Sequence, residues 1–434
     1  MPPAPPRPLH LYSFRPFFPP VSQPRFHLTP CPPPRSFFPF SSCSFHSHST
    51  PTRILFTLNR LSVLAIRLPD NNITNNYSTS NRNKTMSEQA QSANLPAFLR
   101  PEAKTSKASY QSKAFEKLTH LEHDRLDEGQ GNANSRFSLH QATQSANRKY
   151  NRYNDILPFK HSQVVVNSGP QQYINANKIT SPPTLRSSLP ADFTGYIATQ
   201  APLPDTQATF WRMVKEQQVH VIVCLTSVDP DRKRRAAKAE QYWPQAGQTD
   251  QFGTDLSVRN LDSSNSNNEV VYRNLELWDP SLPTTTPRRP ILLVHYQGWP
   301  DHGVPRNSNN LRDILYTIRS WKHNQKTVNN HVGDFGPTVV HCSAGCGRTG
   351  TFCVIDMSLS VLEHVGYPHI APHPLRVQEL AQADTRTQQQ QYDWNQDADI
   401  IFEALDAFRQ ERMLMVQTPA QYQFCYGVVR DLCR

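Results

Sequence analysis

The fold and the chemistry of this chain both depend on one stretch, Pro337-Thr-Val-Val-His341-Cys342-Ser-Ala-Gly-Cys-Gly-Arg348-Thr-Gly350. Its β-branched run, 338–340, predicts a buried strand that ends at His341 and Cys342. Five small residues then precede Arg348, and the apolar pattern of a helix follows. The amide N–H groups of such a loop, placed at a helix N-terminus, can surround a tetrahedral dianion. We call residues 342–348 the thiol loop.

The cysteine and the arginine of this loop have complementary chemistry. Cys342 supplies a nucleophile, and Arg348 can bind two oxygens of an oxyanion at once. The amides and the positive charge favour a thiolate, so the pKa of Cys342 is expected at roughly 3.5–7.5, below that of a free cysteine. A structural cysteine before a tight turn is the alternative, but it explains neither Arg348 nor the two glycines of the loop.

The pattern His-Cys-x5-Arg-Thr resembles the signature of the cysteine-dependent, tyrosine-specific protein tyrosine phosphatases of the non-receptor type. The resemblance covers about 320 residues, because six further blocks occur in the family's order. It implies an α/β (α+β) fold, a highly twisted mixed β-sheet flanked by helices, in a catalytic domain at 105–434. The blocks are Asn151-Arg-Tyr-Asn-Asp155, Tyr173-Ile-Asn-Ala-Asn177, Gln200-Ala-Pro202, Gln241-Tyr-Trp-Pro244, Trp299-Pro-Asp301 and Val416-Gln-Thr-x-x-Gln-Tyr422.

The resemblance also implies catalytic roles for side chains other than that of Cys342. Asp301, on a loop flanked by Trp and Pro, would protonate the leaving phenolate and later accept a proton from water. Gln417 would position that water, with assistance from Gln421. Thr349 would donate a hydrogen bond to the cysteine sulfur, and His341 would orient the loop without acting as an acid or base.

Substrate contacts are expected from the thiol loop and from three residues earlier in the chain. Tyr153 resembles the residue that stacks on the phosphotyrosine ring and makes the cleft deep. Asp155 resembles the residue that holds the backbone amides of the substrate peptide. Lys238 resembles a residue that contacts the loop carrying Asp301, which we call the acid loop. The loop residues expected to bind phosphate are Ser343, Ala344, Gly345, Cys346 and Gly347.

Three positions depart from the family's pattern. Cys346 replaces the usual Ile or Val, and it is either a space-filling thiol or the partner of Cys342 in a protective disulfide. The basic run 232–235 lies where relatives often have an acid that pairs with the signature arginine, so Asp231 or another carboxylate would have to support Arg348. Asn154 removes a basic side chain that builds a second phosphate pocket in some relatives.

Two other functions are alternatives to a tyrosine phosphatase. A catalytically inactive phosphotyrosine-binding module would lack at least one of Cys342, Arg348, Asp301 and Gln417, and all four are present. A dual-specificity or inositol-lipid phosphatase would lack the Tyr153 loop, and lipid enzymes place lysines in the thiol loop. The sequence therefore predicts hydrolysis of phosphotyrosine in proteins through a phosphocysteine, with no metal and no cofactor, and a role in switching off kinase signalling.

Composition narrows the partners and the compartment. The net charge is +10, but residues 1–85 contribute +8 of it, so the rest of the chain is nearly neutral and nucleic-acid binding is not favoured. The eight cysteines show no CxxC spacing, which favours a reducing interior. No stretch is apolar enough to span a bilayer. We expect a cytoplasmic monomer, with nuclear access possible, acting on phosphotyrosine proteins such as kinase activation loops.

Residues 1–104 form a low-complexity segment that is expected to be disordered. Its first part, 1–85, contains 16 of the 38 prolines and a single acid, Asp70. This part has three interpretations: a genuine tail, a mitochondrial transit peptide, or untranslated leader before a true start at Met86. We favour the leader.

The remaining elements follow from periodicity. A helix is predicted from about residue 105, with Phe115, Leu118 and Leu121 on one face, and the polar run 388–391 is predicted to be a surface insertion. Strands are predicted at 164–166, 173–177, 219–225, 270–277 and 291–297, and a strand followed by a turn at 195–202. Helices are predicted at 206–217, 308–322, 349–363, 397–412 and 419–433.

Overall fold

The computed structural model describes residues 95–100, 106–228, 238–300, 303–327, 335–367 and 398–433, without the side chains of 106–109 and of Asn267. All of these belong to one compact unit, Tyr77–Arg434. Several expectations lie outside the described residues: those for the N-terminal segment up to residue 94, Asp231 with the basic run 232–235, Asp301, and the insertion 388–391.

A mixed sheet of eight strands lies at the centre of the described chain and confirms the predicted fold class. Its order is β1-β2-β8-β3-β7-β6-β5-β4. The pairs β2–β8, β8–β3 and β3–β7 are parallel, and the outer pairs are antiparallel. The strands are β1 Ala176–Ile179, β2 Tyr196–Thr199, β3 Val221–Cys224, β4 Thr249–Gln251, β5 Ser257–Asn267, β6 Val270–Trp278, β7 Arg289–Tyr296 and β8 Thr338–His341.

The two central strands are buried along their whole length. Both β3 and β8 consist almost entirely of β-branched residues, which suit a parallel strand covered on both faces. Alternate residues of β3 belong to hydrophobic clusters on opposite faces of the sheet. Because Cys224 is in register with His341, the carboxyl ends of the two strands are level, and Cys342 lies immediately beyond them.

Eight α-helices are described. They are α1 Ser106–Gly131, α2 His140–Thr143, α3 Ser145–Arg148, α4 Gln207–Glu216, α5 Asn309–Thr327, α6 Gly347–His364, α7 Ile400–Glu411 and α8 Pro419–Leu432. The last begins at the proline, as predicted, and the Thr418 hydroxyl caps it by accepting a hydrogen bond from the Gln421 amide at 3.2 Å. No helix within the described ranges is both long and apolar enough to cross a membrane.

The prediction of a strand at 164–166 is wrong. Val164 and Val166 are fully buried, but the segment forms only an isolated bridge between Gln163 and Asn177. Its apolar side chains pack into the core without a ladder of backbone hydrogen bonds. Strand β1 also begins at Ala176, three residues later than predicted.

Strands β4 and β5 were not predicted. Strand β5 is rich in Ser, Asn and Asp, residues that are depleted in strands. It is held by antiparallel pairing with β6, with register shifts at Asn260/Asp262 and Asn265/Asn267. Long-range pairing, which no local pattern encodes, therefore overrides propensity here.

Candidate active site

The thiol loop turns back on the sulfur of Cys342 at the end of β8. The Gly345 amide donates a hydrogen bond to the Cys342 Sγ at 3.3 Å. Gly345 has φ +75°, and a Cβ there would lie 2.1 Å from the carbonyl oxygen of Thr199. Only glycine combines this backbone conformation with so close an approach of β2. The close packing of Gly345 on β2 therefore turns its amide toward the thiol.

The pKa of Cys342 is lowered from its ordinary value. Burial of the side chain opposes ionisation, but the charge of Arg348, the hydroxyl of Thr349 and the amides of Cys346 and Thr349 together outweigh it. The Thr349 Oγ1 is buried and has no other hydrogen-bond partner among the described groups, so its hydroxyl is available to the sulfur. A thiolate is the form that this site stabilises.

The other described cysteines are in the opposite situation. All five are free and buried, and burial raises the pKa of each thiol. The pKa is raised to about 12 for Cys224, Cys346 and Cys433, and it is also raised for Cys353 and Cys425. Among the described cysteines, Cys342 is therefore the one whose thiolate the surroundings favour.

We expect iodoacetamide to alkylate Cys342 selectively, with a rate that falls as pH drops through a pKa below 9. The sign follows from the chemistry, because protonation removes the reactive thiolate. In Arg348→Met the inflection should move to higher pH, since Arg348 is the main group that lowers this pKa. Peptide mapping after timed alkylation measures both effects, and an unshifted inflection would contradict the assigned role of Arg348.

Arg348 connects the thiol loop with the start of the acid loop. Its side chain is 7% exposed, and Nη1 donates a hydrogen bond to the carbonyl oxygen of Trp299 at 3.3 Å. The Trp299 indole Nε1 in turn donates to the Gly303 carbonyl at 3.1 Å. Trp299 is thereby linked to the thiol loop, and Gly303 is linked to it through the Trp299 indole.

His341 is fully buried directly before the nucleophile. Its Nδ1–H donates to the carbonyl of Cys342 at 2.9 Å, and its Nε2 accepts from the Tyr242 hydroxyl at 2.7 Å. Burial lowers its pKa to about 4, so the ring is neutral near pH 7. This arrangement orients the backbone of the loop, and it leaves no ring nitrogen available for proton transfer to a substrate.

Gln417 and Gln421 lie over the start of α6. A Cβ on Gly347 would come within 2.6 Å of the Gln417 Oε1 and within 3.0 Å of the Gln421 amide group. The Gln417 backbone amide donates to the Gln421 Oε1 at 2.9 Å. Both predicted glutamines therefore meet the thiol loop, and Gly347 leaves the space that they occupy.

Tyr153 contacts the thiol loop from the other side. Its hydroxyl forms a hydrogen bond with the Ser343 Oγ at 2.8 Å, and Ser343 donates to the carbonyl of Lys238 at 2.5 Å. The ring is 36% exposed, so its surface is open to a ligand. Lys238 thus reaches this site through its backbone, and Asp155 is exposed two residues beyond Tyr153.

The neighbouring Arg152 anchors the Tyr153 segment. Its Nε and Nη2 donate to the carbonyls of Ala201 and Pro202, each at 3.1 Å, and the guanidinium forms a buried ion pair with Glu240. The fully buried Glu240 is thus committed to Arg152. The orientation of Tyr153 rests on this fixed arginine.

Sequence reasoning missed Arg412, which supports the thiol loop from behind. This arginine is 0% exposed. It donates to the carbonyls of Gly345 and Ala344 at 2.8 and 2.9 Å, and to the side-chain oxygens of Asn177 and Asn175 at 2.7 and 2.9 Å. By binding these carbonyls, Arg412 keeps the amides of the same peptide segment directed at the thiol. The one sequence signal is the alternation of Asn175 and Asn177, two polar residues at the start of β1 that are both buried.

Comparison with known proteins decides the family. The model of the family described as "Protein-tyrosine phosphatase" matches residues 147–431. The chain belongs to the protein-tyrosine phosphatase family. The predictions of this family and of its class of enzyme are confirmed.

Two curated relatives of this family are 31% identical to the chain. Tyrosine-protein phosphatase 3 of Dictyostelium discoideum matches over 316 residues, 72% of this chain and 27% of the relative. Protein-tyrosine-phosphatase PTP1 of Arabidopsis thaliana matches over 294 residues, 67% of this chain and 72% of the relative. The chain thus spans about a quarter of the first relative's length and nearly three quarters of the second's.

Cys346, the residue of the thiol loop that departs from the family's pattern, is fully buried. Its Sγ lies 3.7 Å from the carbonyl oxygen of Ala344, and burial outweighs the nearby charge of Arg412 to raise its pKa to about 12. A thiol that remains protonated is a poor nucleophile. These surroundings favour the space-filling interpretation over the disulfide.

Proposed function

We propose that this phosphatase hydrolyses phosphotyrosine in proteins through a phosphocysteine on Cys342. The observation that carries the proposal is a buried thiol with a lowered pKa, surrounded by amides and placed beside a buried arginine. Its thiolate attacks phosphorus, and the loop amides and Arg348 stabilise the charge on the equatorial oxygens. Asp301 delivers a proton to the tyrosine oxygen as the P–O bond breaks.

The second step releases phosphate. Water attacks the phosphocysteine, Asp301 takes the water's proton, and the sulfur leaves as a thiolate. The contact of Gln417 with Gly347 supports its role in positioning the water. The Thr349 hydroxyl and the loop amides stabilise the departing sulfur, as they stabilise the free thiolate.

Selection of phosphotyrosine is assigned to Tyr153. Its open ring lies beside the entrance to the thiol loop, with its hydroxyl held by Ser343. A phosphorylated serine is too short to reach the loop past this ring, whereas a phosphotyrosine reaches it and stacks. Asp155, exposed next to it, holds the amides of the bound peptide. The finer proposals are a monomer in the reducing cytoplasm that acts on phosphotyrosine in kinase activation loops and ends their signal.

The experiment that tests this function uses Asp301→Ala. Loss of the general acid is expected to lower kcat for a phosphotyrosyl peptide about a thousandfold with little change in KM. The variant should therefore retain phosphotyrosine proteins from a cell lysate, and vanadate should release them.

The control is Asp431→Ala, which removes an exposed carboxylate from α8 and should match the unaltered enzyme. Unchanged kcat in Asp301→Ala would remove the acid from the mechanism. Hydrolysis of phosphoserine peptides at the same rate as phosphotyrosine peptides would contradict the role given to Tyr153.

A further inference from the structure

A cavity of about 470 Å³ adjoins the segment that follows Tyr153. Its floor is formed by Leu157 and Met413, which are buried, and its walls by Leu126, Leu139 and Leu414, which are partly buried. This is the apolar lining and the size of a site for an apolar group. We call it the leucine pocket.

The charges of the leucine pocket exclude a second phosphate. Among its lining residues the only charged or titratable groups are Asp155 and His140, so no lysine or arginine is present to pair with a dianion. The carboxylate of Asp155 repels one. Burying a phosphate against leucines without a cationic partner is strongly unfavourable.

Two chain segments connect the leucine pocket with the candidate active site. Asn154 and Asp155 line it, and they directly follow Tyr153, whose hydroxyl contacts the thiol loop. Met413 and Leu414 line it from the segment that leads to Gln417. A peptide that places its phosphotyrosine beside Tyr153 and extends toward Asp155 therefore meets the edge of the leucine pocket.

We propose that the leucine pocket binds a large aliphatic side chain of the substrate peptide, located one to about three residues from the phosphotyrosine. We choose this range because the pocket begins at the residue after Tyr153, and an extended peptide advances only about 3.4 Å per residue. The inference rests on the proposed function, since it assigns the sequence around the phosphotyrosine that the same site prefers. Asp155 holds the peptide backbone at the rim while the side chain enters.

The test compares phosphotyrosyl peptides that differ at one position. A leucine, a serine or a phosphoserine is placed in turn at each position from three before to three after the phosphotyrosine in an otherwise glycine-rich peptide. At one of these positions leucine should raise kcat/KM about tenfold over serine, because burial of a leucine side chain supplies a difference of this size. Phosphoserine there should give the lowest value.

A charge placed in the wall should reverse this preference. Leu139→Arg is expected to abolish the advantage of leucine and to make the phosphoserine peptide the better substrate of the two. The matched control is Leu282→Arg, an exposed leucine (48% exposed) outside the pocket, which should keep the leucine preference. An unreversed order in Leu139→Arg would overturn the proposal even if the variant is less stable, because the order is read within one protein.

The two proposals fail in different ways. If no phosphotyrosyl peptide is hydrolysed, the proposed function is wrong. If all are hydrolysed with equal kcat/KM, or if phosphoserine is preferred by the unaltered enzyme, the leucine pocket is not a site for an aliphatic side chain.

Discussion

Arg348→Lys is expected to lower kcat/KM for phosphotyrosyl peptides about a thousandfold. Lysine keeps the positive charge but loses the planar pair of donors that binds two oxygens of the transferring phosphoryl group. It also loses the hydrogen bond to the Trp299 carbonyl, observed at 3.3 Å, which links the thiol loop with the acid loop. Steady-state kinetics on one peptide measures the loss.

The alkylation rate of Cys342 separates this effect from a change in the nucleophile. Because the introduced lysine would retain a cation near the sulfur, iodoacetamide should react with Arg348→Lys about as fast as with the unaltered enzyme. Arg259→Lys, on the exposed face of β5, is the control and should change neither rate. An Arg348→Lys enzyme within tenfold of full activity would show that charge alone, without the bidentate geometry, is sufficient.

Arg412→Met is expected to reduce the free energy of unfolding by about 3–5 kcal/mol. Methionine fills part of the space, but it leaves four buried oxygens without the donors that now bind them, two on the thiol loop and two on the asparagines of the β1 region. Urea denaturation followed by circular dichroism measures the change. Arg259→Met, which removes an exposed arginine, should shift the midpoint very little.

The same substitution should also lower activity by about a hundredfold or more. Displacement of the Ala344 and Gly345 carbonyls moves the amides of the thiol loop, and errors of about 1 Å in such positions cost this much. If Arg412→Met remained as stable and as active as the control, the loop would be self-supporting, and the bracing role of Arg412 would be wrong.

The local sequence pattern was sufficient to predict the elements around the thiol loop. The strand β8, the thiol loop and the start of α6 are consecutive in the chain, so a β-branched run, small residues and a helical pattern locate them. The buried strand β3 was predicted for the same reason. Only their pairing in register, which brings Cys224 level with His341, required the structure.

Contacts between residues far apart in the chain could not be predicted from the sequence. Strand β5 is polar and depends on its pairing with β6. The buried valines at 164 and 166 favour a strand but lack a strand partner. Propensity therefore predicts too little strand in the first segment and too much in the second. Arg412 lies 67 residues from Gly345, and a charged residue gives no local sign that it will be fully buried. Its role follows only from the oxygens that surround it.

We propose that Cys342 carries the phosphoryl group between its transfer from tyrosine and its hydrolysis by water. The most direct test of this proposal is rapid acid quenching of the enzyme during turnover of a phosphotyrosyl peptide, followed by mass spectrometry of the proteolytic fragment that contains the thiol loop. We expect a phosphate on the sulfur of Cys342, formed within the first turnover, and neither phosphate nor turnover in Cys342→Ser. Turnover by Cys342→Ser, or phosphate found on another residue, would contradict it.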